Sequence, residues 1–237
     1  MVVPAKTRPT AAKAKTRYDR KDKAKKPGPD VLVSIEIRGA QLPAGFKDNE
    51  GRTITFDIKA SKVDTEWYAR ILRRATHGNE ISAVTFRIVR RDVLPQFCGP
   101  DADACYQPGR TGAVIVISAG QNADVAHTLL HEYGHHIDRA RKHRSLPEPN
   151  GSAAWWAARE MGIRLDRGEV AFGYQFGWSR AVGEVFAEDY AYVQFEKIYG
   201  FSLGTAYKIG WLPPPDWDIT AALARDLRAL PGSTAAR

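Results

Sequence analysis

The chain has 237 residues, 43% of them hydrophobic, which suits one globular domain with a core of ordinary size. Its formal charge of +8 is concentrated at one end: residues 1–30 hold ten Lys/Arg against three Asp, while the other 207 residues hold 25 basic and 24 acidic groups. No apolar run reaches the length of a membrane-spanning helix, and MVVPAKTRPT lacks the apolar stretch of a secretory signal. The expectation is a chain that is cytoplasmic or exported by a signal-less route.

Residues 1–30 are rich in Lys, Ala, Thr and Pro and have too few large apolar groups to offset the entropy of ordering, which predicts a disordered basic tail ahead of a domain over 31–237. Such a tail is either a solvated extension or an electrostatic arm for nucleic acid or another anionic surface. VLVSIEIRG (31–39) and ITFDI (54–58) alternate like strands and invite a long hairpin. DTEWYARILRRATHG (64–78) reads as a helix with Asp64 as N-cap and Gly78 as C-cap, and ISAVTFRIVRR (81–91) as a strand. The only two cysteines, Cys98 and Cys105, share the turn-rich loop FCGPDADACYQPG. They are either a disulfide, which favours an extracellular setting, or two reduced thiols. Two thiolates without a nearby His do not complete a zinc site.

AVIVIS (113–118) is a short, continuously apolar strand, followed by a helix over about 123–142 capped by Asn122 or Asp124. SLPEPNG (145–151) breaks the chain before a helix over 152–163 and an aromatic, Gly-rich segment, EVAFGYQFGW (169–178). A further helix runs from about 179 to 200, WLPPPDW (211–217) is a loop, and a last helix covers about 217–229. The order of elements gives an α+β domain.

The helix over 123–142 carries His131-Glu132-Tyr133-Gly134-His135. A spacing of four residues is about 400° of helical rotation, so both imidazoles leave one face, a turn apart, and meet at one ion. Zinc suits nitrogen ligands in tetrahedral geometry, and Glu132, about 100° round, is placed to act as a base on a water. The plainer reading is a solvated helix with several histidines. A catalytic zinc needs a third protein ligand. In HExxHxxGxxH that ligand is a histidine, but Asp138 and Arg141 stand at the Gly and final His positions, which excludes this class. GEVFAEDYAY offers instead Glu184 and Glu188, four apart on one face among Phe186, Ala187 and Tyr190. Two acids there are costly unless paired or metal-bound, so one would ligate zinc and the other would accept the outer N–H of a ligating His. The rival reading is an ordinary charged helix face. Asp189 is expected to point away, His127 to be a packed neighbour of the metal face, and His136 and His143 to be solvated.

HEYGHHID followed by EVFAED resembles the gluzincin metallopeptidases, and within them the lethal-factor-type peptidases that pair HExGHxxD with ExFAE. The similarity spans about 113–192 and is carried by the two motifs. It implies a zincin-like fold: a small mixed sheet with an edge strand over the cleft, an active-site helix and a downstream glutamate helix. It also implies one Zn2+ per chain on His131, His135 and Glu184, with Glu132 as base and Glu188 and Asp138 behind the ligands. AVIVIS resembles the edge strand that pairs with an extended protein or peptide substrate. The family supplies a Tyr that hydrogen-bonds the oxyanion. Tyr174 stands ten residues before Glu184, with Trp178 as the other aromatic at that place; an aromatic loop role is the alternative. The implied activity is a zinc metallopeptidase, an endopeptidase rather than an exopeptidase. The competing function is a non-catalytic, zinc-stabilised binding module whose basic tail docks to nucleic acid or another anionic partner.

Overall fold

Alternating and continuous apolar segments assemble into a five-stranded mixed sheet in the computed structural model, which describes residues 46–110, 112–141, 153–201 and 207–228. The expected tail 1–30, the strand 31–39 and the break 145–151 lie outside the described residues. Strand β1 (Phe46–Lys47) pairs antiparallel with β2 (Thr53–Ile58) through a tight turn, with Phe46 opposite Ile54. The Asp48 carboxylate holds that turn by accepting the N–H groups of Glu50 (2.9 Å) and Arg52 (2.7 Å), and Gly51 takes the left-handed backbone it requires. Strands β2, β3 (Val84–Val89) and β5 (Ala113–Ser118) are parallel, and β4 (Ala104–Gln107) closes the sheet antiparallel to β5.

This order corrects one expectation. AVIVIS is not the edge strand: β5 lies between β3 and β4, and β4 is terminal. The physical reason was present in its composition. A strand apolar at nearly every position is covered on both faces, which suits the sheet interior better than its rim. The true edge comes from the cysteine loop, where Cys98 and Cys105 form a disulfide with a Cα–Cα distance of 5.5 Å. That bond ties β4 to the short helix α2 (Pro95–Cys98).

Between β2 and β3 runs α1 (Thr65–Arg74), capped by Asp64 accepting from Trp67 N–H as its sequence predicts. It ends at Ala75 rather than at Gly78, which instead opens a 3-10 turn, Asn79–Ala83, so the strand begins at Val84 and not at Ile81. At the stop Ala75 turns extended and Thr76 N–H is taken by Gln194 Oε1 at 2.7 Å, while the Glu80 carboxylate accepts Gly78 N–H at 2.7 Å in the turn that follows. Helix α3 (Ala123–Ala140) is capped by Asn122, whose Oδ1 accepts Val125 N–H at 2.9 Å. The expected single helix over 152–163 is two, α4 (Ala153–Ala158) and α5 (Met161–Asp166), separated where Glu160 takes a φ of +54°. Trp178–Arg180 forms a 3-10 turn, so α6 starts at Val182 and runs to Tyr199, closed by Gly200 in the left-handed conformation. Helix α7 spans Trp217–Arg228.

The core joins the sheet to α3 and α6: Phe86, Ile88, Ile115 and Ile117 meet Leu129, Tyr133 and Ile137 of α3 and Phe186, Tyr190 and Phe195 of α6, all fully buried. The crossing of α3 and α6 is close because Gly134 faces Ala187. A Cβ on Gly134 would sit 2.8 Å from Ala187 Cα and 3.1 Å from its carbonyl oxygen. The absent side chain brings the motif helix and the glutamate helix into contact. Behind this contact Asp189 is fully buried. It accepts from Arg159 Nε and Nη2 (both 2.7 Å), Trp155 Nε1 (2.8 Å) and Tyr207 hydroxyl (2.6 Å), which locks α6 to the break between α4 and α5. Among the described residues no helix is long and apolar enough to cross a membrane.

Candidate metal centre

The two helices deliver a compact donor set. His131 and His135 project from one face of α3 with ring centroids 4.9 Å apart, and Glu184, in the first turn of α6, meets both. Glu184 Oε2 lies 3.1 Å from His131 Nε2 and 3.3 Å from His135 Nε2. With metal–ligand bonds of about 2.0–2.1 Å, the edges of a tetrahedron measure about 3.3–3.4 Å. These two separations are close to that edge, and the three donor atoms all lie within 4.8 Å of one another, one of two such groups able to hold a metal ion among the described residues. The other group, Asp48, Glu50 and His77, already surrounds a cation: Arg52 binds both carboxylates, and His77 Nε2 lies 3.0 Å from Asp48 Oδ2.

Glu188 stands behind the first histidine. Fully buried, it places Oε2 3.1 Å from His131 Nδ1 and Oε1 3.2 Å from His127 Nε2, and it accepts Lys208 N–H at 2.9 Å. The Nδ1–H to Glu188 bond fixes the tautomer that leaves His131 Nε2 facing Glu184. His127, expected to be a packed neighbour of the metal face, is buried against Glu188. Asp138 is buried further along α3, three residues past His135. Asp189 points away from the donors, as expected, into its pairing with Arg159.

Electrostatics follow from this packing. Burial works to lower the His131 pKa, but hydrogen bonds to Glu184 and Glu188 and the Glu132 charge outweigh it and raise the imidazole to about 9. Burial opposes ionisation of Glu188, yet its contacts with His127 and His131 prevail and lower it to about 2. Glu184 is driven below the usual carboxylate range against its own burial by hydrogen bonds from His131 and His135. Glu132 differs in kind: burial raises its pKa, offset only in part by His131, His135 and the backbone N–H of Tyr106. It is a carboxylate beside the donor set with a raised proton affinity, the property a general base needs.

Aromatic rings border the donors. Tyr174 donates its hydroxyl to Glu184 Oε1 at 2.6 Å, and burial followed by the Glu184 bond raises its pKa, so it stays a hydrogen-bond donor. The Trp178 ring stacks on His131 at 5.8 Å, and Tyr106 of β4 stacks on His135 at 6.5 Å. Sequence reasoning missed Tyr106, because four residues between a cysteine loop and Pro-Gly carry too little periodicity to mark a strand. It also placed His136 in solvent. His136 is buried, with Nε2 2.9 Å from the Glu80 carbonyl oxygen, and burial lowers its pKa. The rotation that takes it off the metal face turns it toward the sheet side of α3, where Tyr106 and Tyr133 pack against it. His143 lies outside the described residues. No protein-family model matches the chain, and no curated protein matches it.

Proposed function

We propose that the chain is a zinc-dependent metallopeptidase with a zincin-like fold. The observation that carries this reading is the juxtaposition of two chemistries. Three donors lie close enough together to share one ion, and Glu132, a buried carboxylate with raised proton affinity, stands beside them without belonging to them. A purely structural zinc site closes its coordination with protein and has no need of such a carboxylate, which disfavours the non-catalytic module.

His131, His135 and Glu184 would hold the ion, and Glu188 would orient His131 through Nδ1. When bound, zinc supplies Lewis acidity, bringing a water's pKa toward neutrality and polarising the scissile carbonyl. Glu132 accepts a proton from the attacking water and delivers it to the leaving amine. Tyr174, a protonated donor already within the site, turns its hydroxyl to the developing oxyanion. The substrate lies extended along β4, whose position at the sheet rim beside α3 suits strand addition. The test is hydrolysis of a mixed peptide library by zinc-loaded and metal-free protein, read by mass spectrometry. New cleavage products in the zinc-loaded sample alone are expected; none in either sample would refute the activity.

A further inference from the structure

The C-terminal ends of α1, α6 and α7 border a cavity of about 640 Å³ with a strongly cationic wall. Arg74 comes from the last turn of α1, Lys197 from the last turn of α6 and Arg228 from the last turn of α7. Arg52, Arg73 and Arg141 complete the set, and among the described residues Glu50 is the one carboxylate on the wall. Lys197 lies roughly 20 Å along α6 from Glu184, so the cavity shares no residue with the candidate donor set.

Three of the six cations are already answered. Arg52 pairs with Asp48 and Glu50, Arg73 with Glu66 at 2.5 Å and Arg141 with Glu80 at 3.2 Å. Arg74, Lys197 and Arg228 have no ion pair among the described residues. Lys197 Nζ donates to Thr76 Oγ1 at 2.8 Å and Arg228 Nε to the Ala224 carbonyl at 3.0 Å. Each keeps further N–H groups for another acceptor. Positive charge in a last helical turn is ordinary, because a helix C-terminus carries about half a negative charge. Three whole charges exceed what three such ends offset by roughly a factor of two. The crowding is felt at Lys197, whose pKa is lowered by burial and then by the Arg74 charge. Like charges gathered round one concavity favour an anion that touches several of them at once.

The chemistry of the wall narrows the anion. Guanidinium forks match phosphate oxygens in bidentate geometry, and an ammonium adds a compact charge beside them. Three unanswered cations from three helices call for more than one negative charge, which adjacent phosphates supply. The volume is that of a small-molecule site. We propose that this cavity binds a soluble molecule bearing two or more adjacent phosphates, held by Arg74, Lys197 and Arg228. The assignment stands apart from the peptidase reading and holds whether or not the chain cuts peptides.

The experiment is calorimetric titration of inorganic triphosphate into the full chain, treated with chelator and desalted so that no metal ion competes for the probe. Saturable binding of one triphosphate per chain is expected. Arg74→Gln combined with Lys197→Gln should weaken it at least about tenfold, and Arg228→Gln alone should weaken it less. All three side chains are exposed, so the melting temperature should stay that of wild type. Lys25→Gln with Lys26→Gln, in the basic segment 1–30, should leave the affinity unchanged, and citrate should bind more weakly than triphosphate. No saturable binding, an affinity unchanged in the folded cavity variants, a loss caused by the Lys25 and Lys26 substitutions instead, or tighter binding of citrate would overturn the proposal. Vesicles of phosphatidylcholine with one-tenth phosphatidylinositol bisphosphate test the other source of clustered phosphates. Sedimentation of the chain with them that is lost in the cavity variants would assign the site to a lipid headgroup and overturn the soluble ligand.

Discussion

His131 is gripped at both ring nitrogens, Nδ1 by Glu188 and Nε2 by Glu184, each at 3.1 Å. The two carboxylates sit one turn apart on α6, so a single helix both completes the donor set and sets the tautomer of its first histidine. Losing the Glu188 carboxylate leaves the three donors in place but frees the ring. Glu188→Gln should therefore weaken zinc affinity by about 10–100-fold. Competition against a chromophoric chelator measures this, and Glu184→Ala, which removes a donor outright, should show the larger loss.

Proton linkage gives a second prediction. In the metal-free protein His131 titrates near 9, raised from 6.5, so between these values it carries a proton that must leave Nε2 before the nitrogen can ligate. Zinc binding at pH 7.5 should release about one proton from this residue, and affinity should rise with pH up to about 9 and then level. Calorimetry in buffers of different ionisation enthalpy counts the proton. The sign for metal-free stability is opposite. The contribution of protonated His131 is complete below 6.5, where the unfolded residue is also protonated, and is lost as the pH rises through 9. Glu188, lowered from 4.5 to about 2, contributes above 4.5 and loses that contribution as the pH falls through 2.

At the crossing of α3 and α6, a side chain on Gly134 would press on backbone atoms of Ala187, which cannot swing aside as a flexible side chain can. Gly134→Val should destabilise the fold by about 1–3 kcal/mol through overpacking and separate the donors, lowering zinc affinity with it. Urea unfolding with and without zinc reads both effects.

Asp189 is engaged by Arg159, Trp155 and Tyr207, and truncating it leaves a buried guanidinium without its carboxylate partner. Asp189→Ala should cost about 3–5 kcal/mol in a denaturant melt, although its carboxylate is turned to Arg159 rather than to the candidate donor atoms. A change below about 1 kcal/mol would show that the pair contributes little to the fold.

The candidate donor residues were legible because helical rotation alone puts His131 and His135 on one face of their helix and Glu184 and Glu188 on one face of theirs. That Gly134, by lacking a Cβ, lets Ala187 approach is shown only by the fold. The strands with clear apolar patterning were legible too. What escaped was set by tertiary contacts. Asp189 looked like a spare acid because Arg159 and Tyr207 lie 30 and 18 residues away in sequence. The edge strand escaped because pairing with β5, and a disulfide across seven residues, hold four residues that have little strand character of their own. Tyr174, the oxyanion candidate with a loop role as its alternative, is reached only through two short 3-10 turns that bring its hydroxyl back to Glu184.

In the proposed reaction Glu132, a carboxylate outside the donor set, performs the proton transfer. The most direct measurement is zinc content together with peptide hydrolysis in wild type and Glu132→Gln. One zinc per chain is expected in both, with cleavage by the variant reduced at least about 100-fold. A zinc-replete variant that cleaves as fast as wild type would contradict it.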